Sequence, residues 1–244
     1  MPIKSFRRAH HPVYFFLAPA LATLGVFFFL PVLAAWIMSF TDFDIYSLAN
    51  WRFARFVGLG NYTRLLSDPL FWKSLGNTCY FVLIAGPLTV LAALAAALAV
   101  NSRILWGKAG FRLAFFMPVV TTLVAVSVVW RYLYHPRFGV INYMLSFLGI
   151  NAVDWLGDPH WAMPALIILS VWKNFGFYMM IYLAGLQSIP DQLYEAAGLD
   201  GAGWLQQQIY ITIPQLAPTT LLVDIMTIIG YFQLFAEPYV MTQG

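Results

Sequence analysis

The sequence predicts an all-α membrane protein, a polytopic helical bundle, and three observations carry that prediction. Hydrophobic residues fill 61% of the 244 positions, against about 45–50% in an ordinary soluble domain. Charged residues make up only 9%, where a soluble domain carries about 25%, so 13 basic and 10 acidic side chains cannot cover the surface of a soluble fold of this length. Long stretches of the chain also lack charge altogether. Soluble enzyme, disordered chain and nucleic-acid binder are set aside on these grounds, and a net charge of +3 is too small to indicate an acidic partner.

A hydrocarbon core of about 30 Å needs roughly 20 apolar residues of helix. Residues 13–40 supply the first span and contain no charge. Lys4, Arg7 and Arg8 precede it, as in a signal peptide, but the apolar run is longer than the ~7–15 residues of such a segment. Pro19 and Pro31 are candidate kinks. The second span, 74–100, lies between Lys73 and Arg103. The third, 113–133, is uncharged up to Arg131, the fourth, 161–186, contains only Lys173, and the fifth, 217–241, contains Asp224 and Glu237. Backbone polar groups in lipid must be satisfied within the segment, which selects helices. The alternating segments of a membrane β-barrel are missing from the pattern.

Basic residues in short loops set orientation. Lys4, Arg7 and Arg8 in residues 1–12, and Arg103, Lys108 and Arg112 after the second span, place both segments in the cytoplasm. The loop 187–216 falls on the same side, although its charges are Asp191, Glu195 and Asp200. Five spans from a cytoplasmic N-terminus leave the C-terminus outside, so the reading expects a sixth span beyond these residues. Trp51, Trp72, Trp155 and Trp161 flank spans on the outer side and suit an interfacial belt.

The chemistry-bearing residues are sparse. Cys79 is the single cysteine, and the histidines, His10, His11, His135 and His160, show no metal-ligand spacing. No glycine-rich phosphate loop occurs, since Ser102 stands where one would need its first glycine before Gly107-Lys108. No catalytic residue, metal site or cofactor site is assigned. The sequon Asn61-Tyr62-Thr63 is read as incidental.

The loop 187–216 is the most informative stretch. Ser188 with Asp191 three residues on reads as a helix start, with Pro190 tolerated in the first turn. The helix is expected over Asp191–Leu199, with Leu193, Ala196 and Ala197 on one side and Asp191, Gln192 and Glu195 largely on the other. Asp200-Gly201 breaks it, and a second short helix, 203–212, ends before Pro214. Two short amphipathic helices between spans form either a docking element or a solvated loop on the membrane surface.

Here the chain resembles a known family. Glu195-Ala196-Ala197, Gly201 four positions on, then Ile211 and Pro214 resemble the EAA loop of ABC importer permeases, with Ile213 where that signature has leucine. Residues 57–78, 116–145, 185–218 and 232–244 are similar to the carbohydrate branch of these permeases, and 116–145 to the first permease of a sugar importer's pair. The resemblance implies the type I importer permease fold, with five spans present and a sixth missing. It also implies a bacterial inner-membrane location, a cytoplasmic N-terminus, and no transport by this chain alone. The implied partners are a second homologous permease, two copies of a cytoplasmic ATPase that uses ATP and Mg, an extracytoplasmic solute-binding protein, membrane lipid and a sugar. The loop would be the coupling helix. Glu195 would pair electrostatically with the ATPase, Ala196 and Ala197 would pack closely, and Asp200, Gly201, Ile211 and Pro214 would complete the element.

Ionisable residues inside a span are costly, at least about 2.5 kcal/mol each, and are functional hypotheses by default. Lys173 and Asp224 are candidates for a pair between the fourth and fifth spans. Asn174 and Tyr178 share a helix face at i, i+4, with Gly176 nearby to let a ligand approach the backbone. In the fifth span Asp224, Thr227 and Tyr231 share one face, and Gly230, Gln233 and Glu237 a roughly opposite one. A regular helix cannot aim both sets into one cavity, and the resemblance implies Asn174, Gly176, Tyr178, Gly230 and Gln233 as the substrate-pathway candidates. Pro238 disfavours helix at Glu237, which places Glu237 near the outer mouth. The leading reading is a permease subunit of an ATP-driven carbohydrate importer. The alternative, a secondary transporter, calls for paired intramembrane carboxylates and an inverted repeat, and neither is evident.

Overall fold

The computed structural model describes residues 11–44, 55–102 and 105–242. The basic residues Lys4, Arg7, Arg8 and Arg103, and also Trp51, lie outside them. Two units are distinguished, 1–74 and 75–244.

In the first unit, α1 (His11–Leu24) and α2 (Leu30–Met38) are joined by a π turn, Gly25–Phe29, into one continuous apolar rod. Pro31 closely follows the π turn, whose wider winding admits the ring without breaking the rod, and Pro19 lies within α1. A short α3 (Gly60–Ser67) follows. The side-chain amide of Asn61 donates to the carbonyls of Ser39 and Thr41, both at 2.9 Å, so the sequon asparagine ties α3 to the end of the first rod.

α4 (Pro69–Asn101) starts at Asp68, whose carboxylate accepts from the Leu70 N–H at 2.8 Å. Its buried stripe in the second unit is Phe81, Ala85, Thr89, Ala93 and Ala97, one residue per turn. Small residues on that stripe permit the close helix approach that packing in lipid depends on. α8 (Pro159–Gln187) is the other long rod. Its N-cap is Asp158, with Pro159 at the first helical position. The Asp158 carboxyl is held below the usual carboxylate range by the His160 backbone N–H first and by the His160 imidazole second.

The third apolar window is not one straight span. It folds as α5 (Lys108–Val120) and α6 (Leu123–Leu133), bent 100° from each other. Pro118 lacks the N–H that would continue the helix, and Thr121 and Thr122 are both extended. The fifth window divides as well. α12 (Ala217–Phe232) ends at a break, and α13 (Ala236–Thr242) follows. Glu237 therefore lies inside a helix and is buried. Pro238 is tolerated there because it sits in the first turn of α13. Among the described residues three helices are long and apolar enough to cross a membrane, or up to five if the bent pairs at 108–133 and 204–232 each count as one span.

α7 (Val140–Ser146) lies in the loop after α6. The Asn142 carbonyl oxygen accepts from the Trp155 indole at 3.0 Å and from the Val153 N–H at 3.2 Å. Trp155 is thus a core residue beside Tyr134 and Trp161 rather than an interfacial one, because the loop folds back and covers it. Trp72 stays half exposed and donates to the Leu66 carbonyl at 2.8 Å.

Two clusters form the core of the second unit. One gathers Phe81, Ala85, Val126, Tyr134, Trp155, Leu169 and Tyr231. The other gathers Ala93, Ala97, Tyr178, Met179, Tyr182, Leu186, Leu216 and Val223. Between them the Tyr231 and Thr89 hydroxyls bond at 2.6 Å, joining α12 to α4.

Candidate substrate pathway and coupling loop

α8 and α12 border a cavity of about 370 Å³. Asn174 and Tyr178 line it from α8, Gly230 and Tyr231 from α12, Gln233 from the break, and Glu237 from α13. Four of the five pathway candidates, Asn174, Tyr178, Gly230 and Gln233, therefore meet around one space. Tyr231 and Glu237 join them. A continuous helix could not aim Tyr231 and Gln233 at the same space, but the break after Phe232 removes that restriction. The Asn174 amide donates to the Ser170 carbonyl at 2.9 Å, one turn back on its own helix, and the same side chain interacts with the Tyr231 hydroxyl.

Gly176 does not belong to this cavity. A Cβ at Gly176 would fall on the Phe115 carbonyl, so its lack of a side chain admits the backbone of α5 rather than a ligand. Lys173 and Asp224 do not pair either. The Lys173 ammonium donates to the carbonyls of Pro118 and Thr121, each at 3.0 Å. Those are carbonyls left open where α5 stops, at the negative end of its dipole. Lys173 thus closes a broken helix. Asp224, two turns into α12, lines a separate apolar groove of about 650 Å³ with Cys79, Val82, Pro87 and Thr227.

The loop after α8 is a packed pair of short helices. Ser188 closes α8 instead of opening the next helix, its hydroxyl donating to the Gly185 carbonyl at 2.7 Å. Pro190 takes the N-cap place of α9 (Asp191–Leu199). The end of α9 is a Schellman motif. The Gly201 N–H bonds the Gly198 carbonyl at 3.1 Å and the Ala202 N–H bonds the Ala197 carbonyl at 2.9 Å. Gly201 has φ +80°, with open space where a Cβ would go, so its requirement is conformational and not steric. The second helix runs as α10 (Trp204–Gln207), a π turn (Gln208–Thr212) and α11 (Ile213–Gln215). It continues past Pro214 because the wider π turn relieves the crowding that a proline ring imposes on the preceding turn.

The inward face of α9 is set by Tyr194, whose hydroxyl bonds that of Thr212 at 2.9 Å. Leu193 and Ala196, which the sequence places on one side with Ala197, are exposed. Glu195, Asp200, Gly201 and Pro214 are exposed, Ala197 is half-buried, and Ile211 packs against the core as an anchor of the loop. Sequence reasoning missed the apolar side chains beside Glu195: Leu199 is 91% exposed, and Trp204 and Leu205 are exposed as well. The signal was present, since a large apolar residue at a helix end next to a glycine turn has no core to enter.

The model of the family "Binding-protein-dependent transport system inner membrane component" matches residues 90–244. The probable ABC transporter permease protein YurN of Bacillus subtilis is 35% identical over 235 residues, covering 95% of this chain and 78% of that protein. The lactose transport system permease protein LacF of Rhizobium radiobacter is 36% identical over 233 residues, covering 95% and 76%. The trehalose/maltose transport system permease protein MalF of Thermococcus litoralis is 35% identical over 232 residues, covering 95% and 77%. Among solved structures, a bacterial ABC transporter involved in importing the acidic polysaccharide alginate matches in fold with a TM-score of 0.75 at 24% identity, covering 95% of this chain and 77% of that one.

Proposed function

This chain belongs to the family of binding-protein-dependent transport system inner membrane components, and from that premise we propose that it forms half of the sugar pathway of an ATP-driven carbohydrate importer. It is an inner-membrane transport permease, not an enzyme. Its N-terminus lies in the cytoplasm, and it pairs with a second homologous permease. Two copies of a cytoplasmic ATPase supply ATP and Mg chemistry in trans, and an extracytoplasmic binding protein delivers the sugar.

One observation carries this reading: the cavity and the exposed α9 loop are joined by the same two helices. α8 runs from Asn174 and Tyr178 to the loop, and α12 runs from the loop to Gly230. Closure of the partner ATPases would carry α9 as a rigid body, and α8 and α12 would transmit that movement to the cavity walls. The lining suits a sugar. Asn174, Gln233 and Tyr178 supply donors and acceptors for hydroxyls, and the aromatic rings supply faces for the C–H side of a pyranose. Glu195 meets the ATPase electrostatically, with Leu199, Trp204 and Leu205 adding apolar contact.

The test is uptake of a labelled sugar by right-side-out vesicles containing the full importer, loaded with or without ATP. Uptake requires ATP and the binding protein and survives an uncoupler. Uptake driven by a proton or sodium gradient without ATP would overturn the proposal.

A further inference from the structure

One buried charge lines the cavity and a second is coupled to it. Glu237, in the first turn of α13, is 8% exposed and lines the space. Lys173, on α8 beside Asn174, is 8% exposed too. Its ammonium donates to the Pro118 and Thr121 carbonyls. Those acceptors are neutral, so the positive charge persists and acts on the Glu237 carboxyl. A lone carboxylate in a dry space is costly, whereas one facing a fixed cation is tolerated. The neighbouring groups are partly committed. The Tyr231 hydroxyl bonds that of Thr89 at 2.6 Å and meets the Asn174 side chain, and the Asn174 amide also donates to the Ser170 carbonyl. The Glu237 carboxyl accepts from its own backbone N–H and acts electrostatically on the Tyr231 phenol. No side-chain donor among the described residues bonds it, which leaves lone pairs on its oxygens for a ligand in the space it lines.

We infer that Glu237 is a specificity-determining residue of the pathway, its carboxylate accepting from a pair of adjacent hydroxyls on the sugar, and that Lys173 is the positioning residue that supplies its fixed countercharge. The couple is net neutral, so it offers a directional acceptor without giving the space a net charge. A carboxylate has paired oxygens and no proton to give, which matches two donors on neighbouring ring carbons, and its hydrogen bonds are roughly twice as strong as those between neutral groups. The inference rests on the reading of the cavity as the substrate pathway, and it deepens that reading from sugars in general to sugars with a free pair of adjacent hydroxyls.

The test uses small polyols as probes and needs no knowledge of the cargo. In the assembled importer, with Cys79→Ser in this chain, Leu123→Cys places one thiol on the cavity wall that α6 contributes. Its modification by a neutral methanethiosulfonate reagent is followed on this chain by mass, with and without ATP. The probes are meso-erythritol and 1,4-butanediol, which lacks the inner pair of hydroxyls. The concentration that halves the modification rate is expected to be at least about tenfold lower for erythritol, the factor that one charge-assisted hydrogen bond supplies. In Glu237→Gln the probes come within about twofold of one another, since only neutral acceptors remain. Lys173→Arg keeps the preference for erythritol. Lys173→Met loses it as Glu237→Gln does, and combining the two loses no more, because the residues act as a unit. Should Glu237→Gln fail to insert, Glu237→Asp draws the carboxylate back by one methylene and lowers the preference. A preference absent from the unsubstituted pair, or unmoved by the Glu237 substitutions, overturns the inference and leaves the pathway reading standing. A preference that survives Lys173→Met removes Lys173 from it. No labelling at position 123 in any nucleotide state, or labelling that neither probe slows, overturns both.

Discussion

Gly176 carries the sharpest residue-level consequence. Its place on α8 suggests an opening for a ligand, yet the atom nearest its missing side chain is the Phe115 carbonyl of α5. A side chain there must push α5 away from α8, and overpacking of this kind typically costs about 1–3 kcal/mol. Gly176→Leu is therefore expected to lower the unfolding free energy of the purified permease in detergent by that amount, read as a lowered midpoint. Gly230→Ala, at a position with nothing within 4 Å of the added carbon, should leave the midpoint unchanged. Equal stability of the two variants would mean that α5 and α8 do not meet at Gly176.

At the scale of elements, the break between α5 and α6 explains a lysine that composition alone made into a puzzle. A charge in the middle of an apolar span calls for a partner, and Asp224 was the available acid. The partner is instead a pair of backbone carbonyls, which no side-chain pattern displays. Hydrogen bonds from a charged donor contribute roughly 1.5–3 kcal/mol, so Lys173→Met should destabilise by about that much. Asp224→Asn should act independently, and the double variant should be additive within about 0.5 kcal/mol. A coupling energy well above 1 kcal/mol would restore the ion pair. The end of α9 is a second element whose geometry carries a role. Glu195→Lys leaves folding untouched because the side chain is exposed, yet it should cut sugar uptake and binding-protein-stimulated ATP hydrolysis at least about tenfold. Gly201→Val should do the same by a different route, since a β-branched residue in the left-handed region is strained by about 1–2 kcal/mol and the Schellman turn would open. Wild-type ATP hydrolysis in both variants would remove the loop from coupling.

Across the whole molecule, what the sequence disclosed depended on whether the cause was local. The α9 helix and the Asp200-Gly201 turn follow from hydropathy and backbone preference, and they appear where those preferences put them. The 100° bend at Thr121-Thr122, the break after Phe232 and the burial of Trp155 are tertiary. Each depends on a partner distant in sequence, namely Lys173, the α13 packing and Asn142. For the same reason Tyr231 and Glu237 were assigned away from the cavity. The rods between the breaks lead to the last prediction. From Tyr178 to Gln187 the helix α8 has no interruption, a rigid length of roughly 14 Å at 1.5 Å per residue. If that rod transmits motion, a flexible point between cavity and loop should uncouple them without altering either end. Ala184 is exposed on α8 in this interval, and Ala184→Pro removes an N–H and kinks the helix. Ala184→Pro should retain docking of the ATPase and insertion in the membrane but lose both uptake and binding-protein-stimulated hydrolysis. Tyr178→Ala, by contrast, should lose uptake while hydrolysis stays stimulated, because the rod is intact and only the ligand contact is gone. If Ala184→Pro transports as well as wild type, α8 is not the lever, and the transmission must run through α12.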